Sequence, residues 1–299
     1  PLAAGIVDAF QAAMLRCLQP DATAPADPPS PSPALFESLA DIAHAWELAV
    51  ARRRCHLLAE VLPRFGELWR DADQPAEAIR LLGLLRTALE ADAASRAGQP
   101  TLLGWVYHQM ALTYRYQDLN QAALRSIEQA RRLLEPHAGP SDLGRLLADF
   151  GVIAFMADQP AAAEAALQQA LAIATAQGDL IVQIKAERWL STVAWARGDW
   201  ARAGALCRAA LATASRQAEF GPLLFDVNWA IFRQSAMSWR WDLAGQTYDR
   251  VEAWCAGRCI TPLQTLYLSN MRAALRIGQE RWREAYEAML EALAAPATI

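Results

Sequence analysis

Residues 107–123 have the sequence YHQMALTYRYQDLNQAA, and this stretch decides the fold. Its first part places the large side chains of Tyr107, Met110 and Tyr114 around the small Ala111, at the spacing of a helical face. A short polar turn follows, and a second helical pattern carries Ala123 in its first turns. Small residues at both places let two antiparallel helices approach closely. The stretch therefore predicts a helical hairpin.

The turn and the small residue that follows it recur six times along the chain. The aligned residues are Ala78, Ala123, Ala163, Ala203, Ala244 and Ala285, at offsets of 45, 40, 40, 41 and 41 residues. A period this regular is typical of a helical solenoid, in which each unit packs on its neighbours. We therefore predict an all-α array of six helix pairs over residues 55–299.

One unit departs from this pattern in its first helix. Twelve residues before the aligned Ala, the other five units carry Gly66, Ala111, Gly151, Ser191 and Ala273. The unit of Ala244 carries Phe232 there, and the small Ala230 stands two residues earlier. A one-residue shift of the register is expected in that unit.

Three segments precede the array. Residues 1–19 carry apolar side chains at helical spacing and predict a short helix. Residues 20–34 contain six prolines and no large apolar side chain, which predicts an exposed, poorly ordered linker. A helix over residues 35–54 is expected to lead into the array.

The composition excludes several classes of protein. A hydrophobic content of 54% excludes a chain that is disordered throughout. The net charge of −4 excludes a generally basic nucleic-acid binder and a polybasic membrane binder. The five Cys are odd in number and scattered, which favours a reducing compartment, and no apolar run reaches the ~18 residues of a membrane span. We expect a cytoplasmic protein without direct contacts to nucleic acid or membrane.

The sequence lacks the motifs of common catalytic and cofactor sites. Its one lysine, Lys185, lies in a helical pattern, which excludes a phosphate-binding P-loop within this chain. No Gly-x-Ser-x-Gly elbow occurs. Cys255 and Cys259 could lie one helical turn apart, but two thiols do not complete a tetrahedral metal site. We therefore expect no enzyme activity, no cofactor and no metal.

The alternation of large and small residues resembles the tetratricopeptide repeat, and residues 107–123 match its spacing best. The period of about 40 residues, longer than the 34 of the ordinary repeat, is similar to the sensor region of STAND-class signalling ATPases. These include the maltose-type LuxR regulators and the antibiotic-regulator family. Asp41 and Trp46 match the family's lead into its array, and the resemblance covers residues 35–293. It implies a right-handed α-α superhelix.

The resemblance also implies a function. The chain would be a sensor module that binds an effector or a partner in its concave groove and reports to an upstream NTPase domain. A free-standing tetratricopeptide scaffold that binds a protein segment is the second hypothesis, and an enzyme or enzyme subunit is the third.

The family's groove positions lie on the first helix of each pair and transfer to this chain by counting from the aligned Ala. The ligand-binding candidates are Trp105, His108, Arg115, Tyr116, Arg145, Phe155, Lys185, Arg188, Trp195, Trp229, Arg233, Tyr267 and Asn270. Arginine binds carboxylates and phosphates at two points, and Trp and Tyr faces stack on flat groups. The predicted ligand is an anionic small-molecule effector or an acidic peptide segment. The alternative is that the arginines pair with acids on neighbouring helices and the aromatics belong to the core.

Two more specific expectations concern charge and tryptophan. A positive patch is expected around Arg145, Lys185 and Arg188, with Trp195 and Trp229 as stacking walls. Trp200 and Trp282 share one repeat position, which predicts that they pack between repeats.

Overall fold

A computed structural model describes residues 37–91, 100–216, 221–256 and 262–294. These ranges contain thirteen α-helices and no strand, which confirms the all-α class. The expected N-terminal helix over residues 1–19 and the expected linker over residues 20–34 lie outside the described residues.

One helix leads into six helix pairs. The helices are α1 Leu39–Ala51, α2 Cys55–Asp71, α3 Pro75–Ala91, α4 Pro100–Tyr116, α5 Asn120–Leu134, α6 Pro140–Met156, α7 Pro160–Gln177, α8 Leu180–Ala196, α9 Trp200–Ala214, α10 Gly221–Met237, α11 Trp241–Cys255, α12 Pro262–Gly278 and α13 Trp282–Ala294. The even-numbered helices are the first helices of the pairs. Pro75 and Pro160 begin second helices, where the missing N–H of proline has no helical acceptor to lose.

The same three-residue turn joins the two helices of every pair. Its middle residue is Asp73, Asp118, Asp158, Gly198, Trp239 or Glu280, and each has a positive φ between 52° and 81°. In the second of these turns, Asp118 N–H donates to Arg115 O and Leu119 N–H donates to Tyr114 O, at 3.0 and 2.9 Å. This Schellman arrangement satisfies the last carbonyls of the first helix and reverses the chain.

The turn residue stands five positions before the aligned Ala in all six pairs. The unit of Ala244 keeps this spacing, since α10 ends two residues before Trp239 as the other first helices end before their turns. The one-residue shift predicted for this unit is therefore wrong. Phe232 is instead accommodated in the core, with its ring stacked near that of Trp229 at a centroid distance of 6.1 Å.

The aligned Ala residues lie at the contact between the two helices of each pair. All six are buried, with exposed fractions between 0% and 3%, as the pattern predicts. At the joint of α6 and α7, a Cβ on Gly151 would lie 3.1 Å from the carbonyl oxygen of Ala163. The two backbones are therefore in near contact, and no room is left for a larger residue.

We expect Ala163→Leu and Ala203→Leu each to lower the free energy of unfolding by roughly 1–3 kcal/mol, because added methylenes must push the two helices apart. Ala205→Leu is the matched control, since Ala205 is exposed on the same helix as Ala203 and should change stability by less than about 0.5 kcal/mol. Urea denaturation followed by circular dichroism measures both effects. Unchanged stability in both core variants would contradict the assigned register.

The chain divides within α7, after Gln169, into two compact units. The repeat domain over residues 55–299 stays a prediction. In the first unit the indole of Trp46 stacks on Phe65 at 3.7 Å between centroids and donates from Nε1 to the carbonyl oxygen of Leu81 at 3.0 Å. In this way α1, α2 and α3 share one core.

The second unit has cores of its own. One is formed by Phe225, Phe232, Tyr248 and Met271, and a smaller one surrounds Ile184 and its neighbours. Its first helices also lie side by side, with α8 packed on α10 and α10 packed on α12. None of the described helices combines the length and apolar character that crossing a membrane requires.

Candidate functional site

In the first unit, the ligand-binding candidate His108 is paired with a buried acid. His108 on α4 is 3% exposed, and its Nε2 lies 2.9 Å from Oδ2 of the buried Asp149 on α6. Trp105 meets the His108 ring edge-on at 5.3 Å. His108 therefore joins two first helices and is not presented to a ligand. Sequence reasoning missed Asp149. Its signal is that it is the one acid in residues 146–156 of α6, which are otherwise apolar.

The other first-unit candidates do not gather into a site. Tyr116 is exposed, and its hydroxyl donates to Oδ1 of Asp73 at 3.4 Å. Arg145 is exposed, whereas Arg115 and Phe155 are half-buried. The patch expected around Arg145, Lys185 and Arg188 draws on both units, and it stays a prediction.

The second unit brings several candidates together on its first helices. Arg188 lies on α8, Trp229 and Arg233 lie on α10, and Tyr267 lies on α12. The rings of Trp229 and Tyr267 are parallel to within 2° and their centroids are 4.7 Å apart. The charge of Arg233 and the hydroxyl of Tyr267 both act on the Arg188 guanidinium. Residues about 40 positions apart in the chain therefore share one region.

Burial dominates the electrostatics of this region. It lowers the pKa of Arg188 below the usual value of arginine, because a guanidinium loses hydration there. The carboxylate of Asp226 partly restores the charged form of Arg188, and the nearby charge of Arg233 opposes it. Burial lowers the pKa of Arg233 for the same reason. Two arginines thus hold positive charge where water stabilises it poorly.

Three N–H-bearing atoms of the two arginines are buried and have no hydrogen-bond partner among the described residues. They are Nε and Nη1 of Arg188 and Nε of Arg233. The Arg188 guanidinium lies instead over the ring of Trp189, with Cζ 4.0 Å from the centroid. The expected alternative, in which groove arginines pair with acids on neighbouring helices, does not account for these atoms. An unsatisfied buried donor costs about 1–3 kcal/mol, and more when it is charged.

A buried polar network lies behind the two arginines. Gln234 donates from Nε2 to Oγ of Ser191 at 2.8 Å, and that oxygen is 2.9 Å from Sγ of Cys207. Burial raises the pKa of the Cys207 thiol. The network joins α8, α9 and α10, so it holds Arg188 and Arg233 in a defined register. Sequence reasoning missed it, although Ser191 brings a hydroxyl to a repeat position that is Gly or Ala in four other units.

The remaining second-unit candidates lie at the margin of this region. Lys185 is half-buried and Asn270 is exposed. Trp195 meets Trp200 edge-on at 5.5 Å. No group of three or more His, Cys, Asp or Glu side chains within the described ranges is placed to hold a metal ion, and Cys259 lies outside those ranges.

The packing predicted for two tryptophans is wrong. Trp200 and Trp282 are 58% and 63% exposed, and each begins a second helix. Trp241 holds the same place in its pair and does pack, with its indole against Gly278 at the end of α12.

Comparisons with known proteins show similarity at the level of the fold. No family model matches the chain, and no curated protein matches it. The structure is similar to that of aspartyl phosphate phosphatase F from Bacillus subtilis, with a TM-score of 0.56, 12% identity and coverage of 89% of this chain and 71% of that one. It is also similar to a STAND protein with a tetratricopeptide repeat sensor from Pyrococcus horikoshii, with a TM-score of 0.52 and 15% identity. That match covers 88% of this chain and 43% of the STAND protein.

The fold is that of a tetratricopeptide-like helical repeat. Identities of 12% and 15% support the fold alone.

Proposed function

We propose that this repeat protein is the ligand-binding sensor module of a STAND-type signalling regulator. In this role it binds an effector on the first helices of its second unit and passes the signal to an NTPase domain. It acts by binding and not as an enzyme, and its place is the cytoplasm. Control of transcription, as in the LuxR-type and antibiotic-regulator families, belongs to the same proposal.

One observation carries this proposal. Nε and Nη1 of Arg188 and Nε of Arg233 are buried atoms of half-buried side chains at groove positions of neighbouring first helices, and they have no acceptor among the described residues. Asp226 offsets the charge of Arg188 only in part, so the site favours a ligand that supplies the missing acceptors. The similarity to a STAND protein with a repeat sensor supports the signalling context, and it spans 43% of that protein.

A free-standing scaffold is the second candidate, and exposed aromatic side chains favour it. Trp200, Trp239 and Trp282 all lie at the turns between first and second helices and are mostly exposed. Exposed tryptophans at one edge are a common feature of protein interfaces. In this alternative the edge holds a protein segment and no NTPase domain is involved.

The reading frame around this chain and the activity of its product test the proposal. We expect the same polypeptide to carry a P-loop NTPase domain, and its rate of ATP hydrolysis to change when small organic anions are added to the purified protein. The matched control is the same protein with Arg233→Gln, in which the response to the anions should be lost. A polypeptide without a P-loop, or a rate that no anion changes, would contradict the sensor role and favour the scaffold.

A further inference from the structure

We infer that Arg188 and Arg233 form a binding site for a carboxylate carried on a flat, mostly apolar molecule. This inference rests on the proposed function and names the chemical class of its effector. It concerns the second unit alone, because α8, α10 and α12 all belong to it.

The site contains hydrogen-bond donors on two neighbouring first helices. Arg188 lies on α8. Arg233 approaches from α10, and its charge acts on Arg188. All the unpartnered atoms in this set carry N–H groups, so the missing partner is an acceptor. A carboxylate offers two oxygens with about four acceptor positions, which suits several donors at once.

The charges of the site indicate the charge of the ligand. The groups that act on the Arg188 charge include one acid, Asp226, and one further cation, Arg233. The two arginines and this acid together have a net charge of about +1. A carboxylate neutralises it, whereas a phosphate dianion would leave one negative charge in excess near the carboxylate of Asp226. The chemistry therefore favours a monoanion.

The aromatic side chains of the site indicate the body of the ligand. The rings of Trp229 and Tyr267 stack on each other beside the two arginines, with Phe232 stacked near Trp229 and Phe225 stacked near Tyr267. Trp229 and Tyr267 are half-buried, so their ring edges add apolar surface to the site. Aromatic surfaces of this kind favour flat, apolar groups, whose burial adds contact area at little cost in conformational entropy. An aromatic carboxylate meets both requirements.

Hydrogen bonds between the helices make the site rigid. The hydrogen bonds among Ser191, Cys207 and Gln234 tie α9 to the two helices that carry the arginines. Gln234 follows Arg233 directly in α10, and Ser191 lies one turn after Arg188 in α8. The network therefore sets the relative position of the two guanidinium groups before any ligand arrives, which lowers the entropic cost of binding.

Calorimetric titration of the full chain tests the class of ligand. The probes are benzoate and indole-3-acetate, their neutral amides, phenyl phosphate, and a blocked tri-glutamate peptide. We expect the two carboxylates to bind and their amides to bind at least about tenfold more weakly, since each charge-assisted hydrogen bond is worth about 1.5–3 kcal/mol. Amides that bind as tightly as the acids, or tighter binding of phenyl phosphate or the peptide, would overturn the inference.

Substitutions locate the site. Arg188→Gln and Arg233→Gln should each weaken benzoate binding by roughly tenfold or more. Arg208→Gln is the control: it removes the same charge from an exposed position on α9 and should leave binding unchanged. Without ligand, Arg188→Gln should melt at a higher temperature than the wild type, because the loss of hydration around the Arg188 charge outweighs the support from Asp226. Equal binding by wild type and Arg188→Gln, or a lower melting temperature of this variant, would contradict the site.

The outcome separates this inference from the sensor role. Carboxylate binding by a chain whose gene encodes no NTPase domain would refute the sensor role and leave the site in place. An ATPase that responds to other anions, with no binding of either carboxylate, would refute the site and leave the sensor role.

Discussion

Replacing Trp46 with alanine is expected to lower the free energy of unfolding of the first unit by about 3–5 kcal/mol. The indole is fully buried, stacks on Phe65, and donates its N–H to the carbonyl oxygen of Leu81. Its removal leaves a large cavity between α1, α2 and α3 and also leaves that carbonyl without its indole donor. Both the cavity and the lost hydrogen bond destabilise the folded state. This substitution therefore has the largest effect on stability that we expect.

Urea denaturation followed by far-ultraviolet circular dichroism measures this change. Trp239→Ala is the matched control, because it removes the same side chain from a position that is 79% exposed. We expect it to alter stability by less than about 0.5 kcal/mol. A similar loss in both variants would mean that the first-unit core does not depend on the Trp46 contacts.

Replacing Asp149 with leucine is expected to lower the free energy of unfolding by about 3 kcal/mol, because the buried His108 then keeps a polar ring without its carboxylate partner. The same substitution at the exposed Asp142, in the first turn of the same helix, should cost less than about 1 kcal/mol. Chemical denaturation of the three proteins gives the comparison.

The double variant of His108→Leu and Asp149→Leu separates the pair from its surroundings. Removing both polar groups leaves neither of them unpartnered, so the double variant should cost less than the sum of the two single variants, by at least about 1 kcal/mol. Strict additivity would show that the 2.9 Å contact between the two side chains contributes nothing to stability.

The predictions that succeeded concern short-range features of the chain. The aligned Ala residues are buried because a repeated residue type at a repeated position meets the same neighbour in each pair. The turns at Asp118 and Gly198 follow from residues that tolerate positive φ. Trp239 and Glu280 adopt the same φ without that preference, so there the packing of the flanking helices imposes the turn.

The predictions that failed concern the surroundings of a side chain. The pattern predicted that Trp200 and Trp282 pack between repeats, yet both are mostly exposed, whereas Trp241 packs on Gly278. His108 stands at a groove position, and the acid that pairs with it comes from the next first helix, 41 residues later. The repeat spacing shows on which face of a helix a residue lies. What that face contacts depends on the side chains of the neighbouring helix.

The sequence by itself determined the all-α class, the helix pairs and the set of first-helix positions among which the arginines occur. These follow from periodicity, because helical spacing and small residues act within one hairpin and need no distant contact. The contacts between helices made Arg188 and Arg233 half-buried neighbours, while Arg145 is exposed. The reason is physical: burial and the satisfaction of a donor depend on the atoms that surround it, and these come from helices separated by a full repeat.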